Sequence, residues 1–103
     1  MVTNAELQSM YHEFNKKWFG NRLPKDRVVE FEKMYPLGCT HFRRGRPLWI
    51  DVSSRFRTSR ASAAMTLLHE MVHVELDYKT NHGPLFHKRM LQLAKAGAFR
   101  PWW

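Results

Sequence analysis

The chain has 103 residues and a mass of 12.3 kDa, which is room for a single domain around one core. Its composition, 44% hydrophobic and 25% charged, argues against a disordered tail, and no apolar run reaches the roughly 18 residues of a membrane span. The single cysteine, Cys39, excludes a disulfide framework and any zinc ribbon of paired Cys-x-x-Cys units within these residues, while 17 Lys and Arg against 9 acids give a formal charge of +8 that favours a polyanionic partner, nucleic acid above all. The first residues show no basic stretch leading into an apolar one, so a secretory signal is not expected. The expected location is cytoplasmic, with nucleoid association if the charge serves DNA.

The chain reads as a helix, a strand region and two further helices. Thr3 with Glu6 three residues on is a capping box, and Val2 with Leu7 forms a hydrophobic staple. Leu7, Met10, Tyr11, Phe14 and Trp18 then recur at helical spacing, and Gly20 and Pro24 end the element. Val28, Val29 and Phe31 read as a first strand, Cys39 to Phe42 as a second and Leu48 to Val52 as a third, with turn signals at Pro36-Leu37-Gly38 and Gly45-Arg46-Pro47. Short strands separated by such turns predict an antiparallel meander, with Trp49 in the core. A second helix is predicted from Arg60 to Tyr78 and a third from Pro84 to Ala96, before Gly97. Trp102 and Trp103 are expected to pack against the fold.

The second helix carries His69-Glu70-Met71-Val72-His73. Positions i and i+4 share a helix face, so two imidazoles can reach one Zn²⁺ at roughly 2.0–2.1 Å each. The intervening Glu70 is displaced to the side, where it can take a proton from the attacking water without being a ligand. At about 100° per residue, with Glu70 at zero, Ser59, Ser62, Thr66, His69, His73 and Asp77 all fall within about 100° on one side. Most of the remaining circle is apolar, which predicts a buried helix whose polar stripe lines a cleft.

A catalytic zinc needs a third protein ligand and one open position. Asp77 lies about 12 Å along the helix from His69, too far to share an ion. No Asp or Glu follows it, and a third His six residues after His73 is absent because Lys79 stands there. The candidates left are His82, His87, His41, His12 and Cys39. His82 is preferred, because it precedes Gly83-Pro84 at a reversal that can return it toward the metal.

These residues resemble the SprT-like metalloproteases, the group that includes bacterial SprT and the protease domain of Spartan. The matching segments are Phe14-Asn15, Trp18-Phe19-Gly20-Asn21-Arg22-Leu23-Pro24, Ile50-Asp51-Val52-Ser53, Leu67 to His73, and His82-Gly83-Pro84-Leu85-Phe86. Together they cover roughly residues 10 to 95. The resemblance implies an α+β, minimal zincin-like domain: an N-terminal helix, a short antiparallel three-stranded sheet, an active-site helix and a C-terminal helix. It implies a zinc-dependent endopeptidase in which His69, His73 and His82 hold one Zn²⁺ and Glu70 is general base and acid. It also implies protein substrates, including proteins crosslinked to DNA, with activity stimulated by DNA. Family members often carry a zinc ribbon beyond the catalytic core, so here any contact with single-stranded DNA is expected to come from the core itself.

Arg43, Arg44, Arg46, Arg55, Arg57 and Arg60 are the candidate nucleic-acid residues, clustered around the lone acid Asp51. The strand from Leu48 to Val52 is expected to present a free edge with which an extended peptide could pair. Two other classes compete. One is a deformylase-like amidase using Cys39 as a ligand, and the other a non-catalytic nucleic-acid-binding module with structural zinc. No membrane partner is expected, and the protein is expected to be a monomer. Tyr78, His41, His87 and a nearby Arg are the candidates for stabilising an oxyanion, and no spacing argument separates them.

Overall fold

The computed structural model describes residues 1–34, 36–43, 46–76 and 82–102, and of 41–43, 46–48 and 102 the backbone only. Asp77, Tyr78, Arg44 and Trp103 therefore lie outside the described residues, as do the side chains of His41, Arg43, Arg46 and Trp102.

Helix α1 spans Asn4–Trp18. Its start is the predicted capping box: Thr3 Oγ1 accepts the Glu6 N–H at 3.1 Å, and Glu6 Oε1 accepts the Thr3 N–H at 3.2 Å. Val2 and Leu7 are both buried, as a staple requires, and Met10, Tyr11 and Phe14 continue the inward face. After the helix, Gly20 and Asn21 both adopt positive φ, near 60°, which glycine and asparagine tolerate best. The fully buried Asn15 fastens the returning chain, donating to Leu23 O and accepting from Leu23 N, both at 3.0 Å.

The sheet corrects one expectation. It has three strands, β1 (Val28–Glu32), β2 (Gly38–Arg43) and β3 (Arg46–Ser53), in the order β1-β3-β2. β2 and β3 form the expected antiparallel hairpin, with His41 opposite Trp49. β1 instead runs parallel to β3, with Val29 opposite Ile50. The sheet is mixed, not an antiparallel meander. Burial explains the choice. Ile50, Asp51, Val52 and Ser53 are all buried, which is the profile of a central strand, whereas β1 alternates exposed and buried residues. Reaching β2 from β1 means skipping one strand, about 10 Å, well within the six residue steps from Glu32 to Gly38 at roughly 3.3 Å each. The expected free edge on β3 is therefore absent, because β3 is paired on both sides. Among the described residues it is β2 that has an open edge on the side away from β1. Trp49 is also displaced from its expected core position: it is 36% exposed.

A 3-10 turn at Ser54–Thr58 leads into α2 (Arg60–Glu75), capped by Ser59, whose side chain accepts from Ser62 N–H. α2 packs on β2, β3, α1 and α3, and it is buried along most of its length, as its apolar circumference predicts. It ends at Glu75, earlier than the predicted Tyr78. α3 (Pro84–Ala96) begins with Pro84 in its first turn and ends at Gly97 with φ 98°, matching the sequence reading. Arg89 ties the helices together: it donates to Glu75 Oε1 at 2.6 Å and Trp18 O at 2.9 Å and lies over the Phe19 ring.

Asn15→Ala removes two buried hydrogen bonds and leaves the Leu23 amide and carbonyl unpaired. At about 1–3 kcal/mol per stranded group, a loss of about 2–6 kcal/mol is expected in urea unfolding. A loss under about 1 kcal/mol would mean that water replaces the Asn15 amide.

Candidate metal centre

α2 presents His69 and His73 one turn apart on its cleft-facing side. Gly83 and Pro84 then start α3 immediately after His82, returning its ring to α2. His82 Nε2 lies 3.1 Å from His69 Nε2 and 3.1 Å from His73 Nε2. Ligand atoms of all three residues fall within 4.8 Å of one another. Three nitrogens on one tetrahedral ion at 2.0–2.1 Å stand about 3.3 Å apart, so the cluster fits Zn²⁺. One proton on His82 Nε2 cannot serve both neighbours, whereas one cation can satisfy all three lone pairs. Imidazole donors are also the ligand chemistry zinc prefers.

The floor of the cluster is Phe86, 3% exposed. Its ring stacks on His73 at 4.6 Å between centroids, meets His69 edge-on at 4.9 Å and contacts His82 at 4.7 Å. One residue thus fixes three imidazoles. Burial, and secondly the neighbouring His73 and His82, push the His69 imidazole down to about 4. Burial and His82 lower His73 as well. Both rings are therefore neutral near pH 7, the protonation state that binds metal.

Glu70 is 6% exposed. Burial raises its pKa, and hydrogen bonds from Thr40 oppose that rise. Thr40 Oγ1 donates to Glu70 Oε1 at 3.0 Å, while Oε2 lies 3.9 Å from His69 Nε2. One carboxylate oxygen is thus held by the sheet, and the other faces the histidines. β2 can approach this closely because of Gly38. A Cβ there would meet Thr66 Cγ2 at 2.8 Å and Glu70 Cγ at 3.2 Å. The polar stripe opens onto a cleft of about 530 Å³ walled by Leu37, Gly38, Phe56, Ser62, Met65 and Thr66, with His69, Glu70 and His82 at its end.

Of the other candidate ligands, Cys39 lines a smaller cavity beside the histidines, and burial raises its thiol pKa. It is not part of the metal-capable group found among the described residues, which comprises His69, His73 and His82. His87 is exposed, lies on α3 and is outside the cluster. His12 contacts Gln8 on α1. Among the candidate nucleic-acid residues, Arg55 donates to Ser53 Oγ and Met34 O, Arg57 covers the Phe31 ring and Arg60 pairs with Glu6. Each thus has a contact within the fold, while Arg60 stays half exposed. Two contributors escaped sequence reasoning: Thr40 and Gly38. The alternation of a strand puts both on one face, and two small residues at i and i+2 were the signal that another element lies close above.

A sequence model of the SprT-like family matches residues 7–101. The chain belongs to the SprT-like family. No individual curated protein and no solved structure matches it. Membership brings a zinc-protease-like domain with it, and the match spans every element from α1 to the last turn. No helix among the described residues is long and apolar enough to cross a membrane.

In the metal-free protein, NMR should find His69 titrating near pH 4. A lowered histidine pKa makes the neutral form the native one. The stabilising contribution is therefore present above about pH 6.5 and lost as pH falls toward 4. Titration of His69 at 6.5 or above would mean that the cluster is open to water.

Proposed function

We propose that this SprT-like protein is a zinc-dependent endopeptidase acting on protein substrates, including proteins bound or crosslinked to DNA. The observation that carries the reading is the meeting of three imidazole nitrogens beside a buried glutamate held by Thr40 at the end of an open cleft. His69, His73 and His82 would hold the metal. When bound there, Zn²⁺ supplies Lewis-acid polarisation of the scissile carbonyl and of the attacking water.

The remaining steps belong to the chain. Glu70 takes a proton from the attacking water and delivers it to the leaving amine. Its raised pKa suits both halves, because a carboxyl in an apolar site accepts a proton more readily than one in water. Thr40 occupies Oε1, which leaves Oε2 for the proton. Along the open edge of β2, an extended substrate could pair through its backbone beside Gly38, Cys39 and Thr40, which line the cavity at the histidines. Such pairing reads no side chains and suits varied substrates.

The net charge of +8 supports contact with single-stranded DNA. Arg43, Arg44 and Arg46 would carry it, with Arg55, Arg57 and Arg60 alongside. A monomer acting in the cytoplasm, in part on the nucleoid, completes the reading. The amidase alternative requires Cys39 as ligand, and the three-histidine cluster favours His82 instead. A purely structural zinc would need no buried carboxylate at the cluster, and Glu70 is there.

The test incubates the zinc-loaded protein with a DNA-binding protein, with and without single-stranded DNA. Glu70→Gln should lower turnover by about 10²–10⁴-fold while retaining zinc, and His82→Ala should lose zinc. Turnover that survives Glu70→Gln, or zinc that survives His82→Ala but not Cys39→Ala, would sink the assignment. Thr40→Val should keep zinc and lower kcat by roughly tenfold, the weight of one hydrogen bond to a charged group. An unchanged kcat would show that Glu70 does not depend on Thr40.

A further inference from the structure

A second cavity, of about 460 Å³, lies between α2 and α3. This is within the roughly 300–1,000 Å³ range of ligand pockets. Its walls are Met65 and His69 from α2, then His87, Met90, Leu91 and Ala94 from α3, with Phe99 beyond. Met65 and His69 also wall the larger cleft, so the two cavities share a boundary at a candidate metal ligand.

α3 has two apolar stripes. Phe86 and Leu93 lie in the core. His87, Met90, Leu91 and Ala94, spaced by three and four, form the other stripe, and there Leu91 is 55% exposed. Lining atoms include no carboxylate and no ammonium. Lys88 and Lys95 fall to the side of this stripe on the helix wheel. A basic side chain would meet no counter-ion in the groove and would face two lysines at its flank. An apolar one would cover Leu91, and the thioether side chains of Met65 and Met90 can adapt to several shapes.

We propose that this groove is a substrate subsite that takes one large apolar side chain, of the Leu, Met, Ile or Phe class, at a fixed position beside the scissile bond. The inference rests on the endopeptidase reading for its substrate and on the shared wall at His69 and Met65 for its place. Backbone pairing along β2 would leave sequence unread, and this groove would add the one side-chain preference. Met65, which walls both cavities, and Leu91, at the exposed side, would determine it.

Two measurements test it. In the first, the zinc-loaded protein digests a mixed library of defined peptides, and mass spectrometry maps the cut positions. The wild type should enrich apolar residues at one position near the cut. Leu91→Glu, a change at an exposed site, should lower that preference about tenfold, the usual worth of a pocket contact. In the second, the metal-free protein is titrated with Gly-Gly-Leu-Gly-Gly or Gly-Gly-Lys-Gly-Gly while the Met65 and Met90 methyl resonances are followed. The leucine peptide should shift both methyls saturably and the lysine peptide neither, and Leu91→Glu should abolish the shift. Cleavage without positional preference, or equal methyl shifts with the two peptides, overturns the subsite. Selective methyl shifts with no cleavage of any peptide would uphold an apolar-binding groove and overturn the endopeptidase reading instead.

Discussion

The ring of Phe86 is the contact on which the site depends. Three imidazoles from two segments of chain must converge, and flexible side chains do not do so unaided, since ordering each costs conformational entropy. Phe86 removes that freedom by offering one face to His73, one edge to His69 and a tilted contact to His82. It can do so because Pro84 opens α3 and places Phe86 on its first, inward-facing turn. The same packing half-buries His69 and His73, while His82 stays exposed. Packing therefore supplies both the geometry and the neutral protonation state that a metal requires.

The glutamate poses a harder problem. A carboxylate 6% exposed on a helix packed by apolar residues is unfavourable unless something holds it. The sheet supplies the partner. β2 runs against α2 with Gly38 at the point of closest approach and Thr40 two residues on, donating to Oε1. The glycine and the threonine act as a pair, one giving the distance and the other the hydrogen bond. A side chain at position 38 would push β2 outward and lengthen the bond from Thr40. In the native site burial makes the carboxylate more basic while Thr40 keeps it bonded, which is the compromise a proton carrier needs.

Helices were the legible part of this chain. The capping box at Thr3, the apolar arc of α2 and the Pro84 and Gly97 boundaries of α3 are local signals, and local hydrogen bonding decides them. The metal cluster was legible for the same reason: two ligands lie one helical turn apart and the third stands at a marked reversal. The strand order was not, since pairing is decided by which strand is buried on both faces. Ile50 and Val52 read as half of an alternating strand, yet the alternate residues Asp51 and Ser53 are also buried. Nor could the arginines be read from their number. Arg57 and Arg60 look like free charge in the sequence, but each also contacts a partner distant in the chain, the Phe31 ring and Glu6.

The clamp at the far end of α2 explains how so small a fold keeps the cluster in register. Glu75 closes the helix and accepts from Arg89 of α3 on one oxygen and from Arg22, after α1, on the other. Arg89 also reaches Trp18 O and covers Phe19. The end of α2, the turn after α1 and the middle of α3 are thereby fixed to one carboxylate that is 13% exposed, where an ion pair is less screened than one in open solvent. α3 cannot pivot on α2 without breaking these bonds, and Phe86 lies less than one turn before Arg89 on the same helix. The clamp sets the crossing of α2 and α3, that crossing sets the depth of Phe86, and Phe86 sets the histidines. A charged network outside the cleft thus belongs to the site as much as the residues that line it.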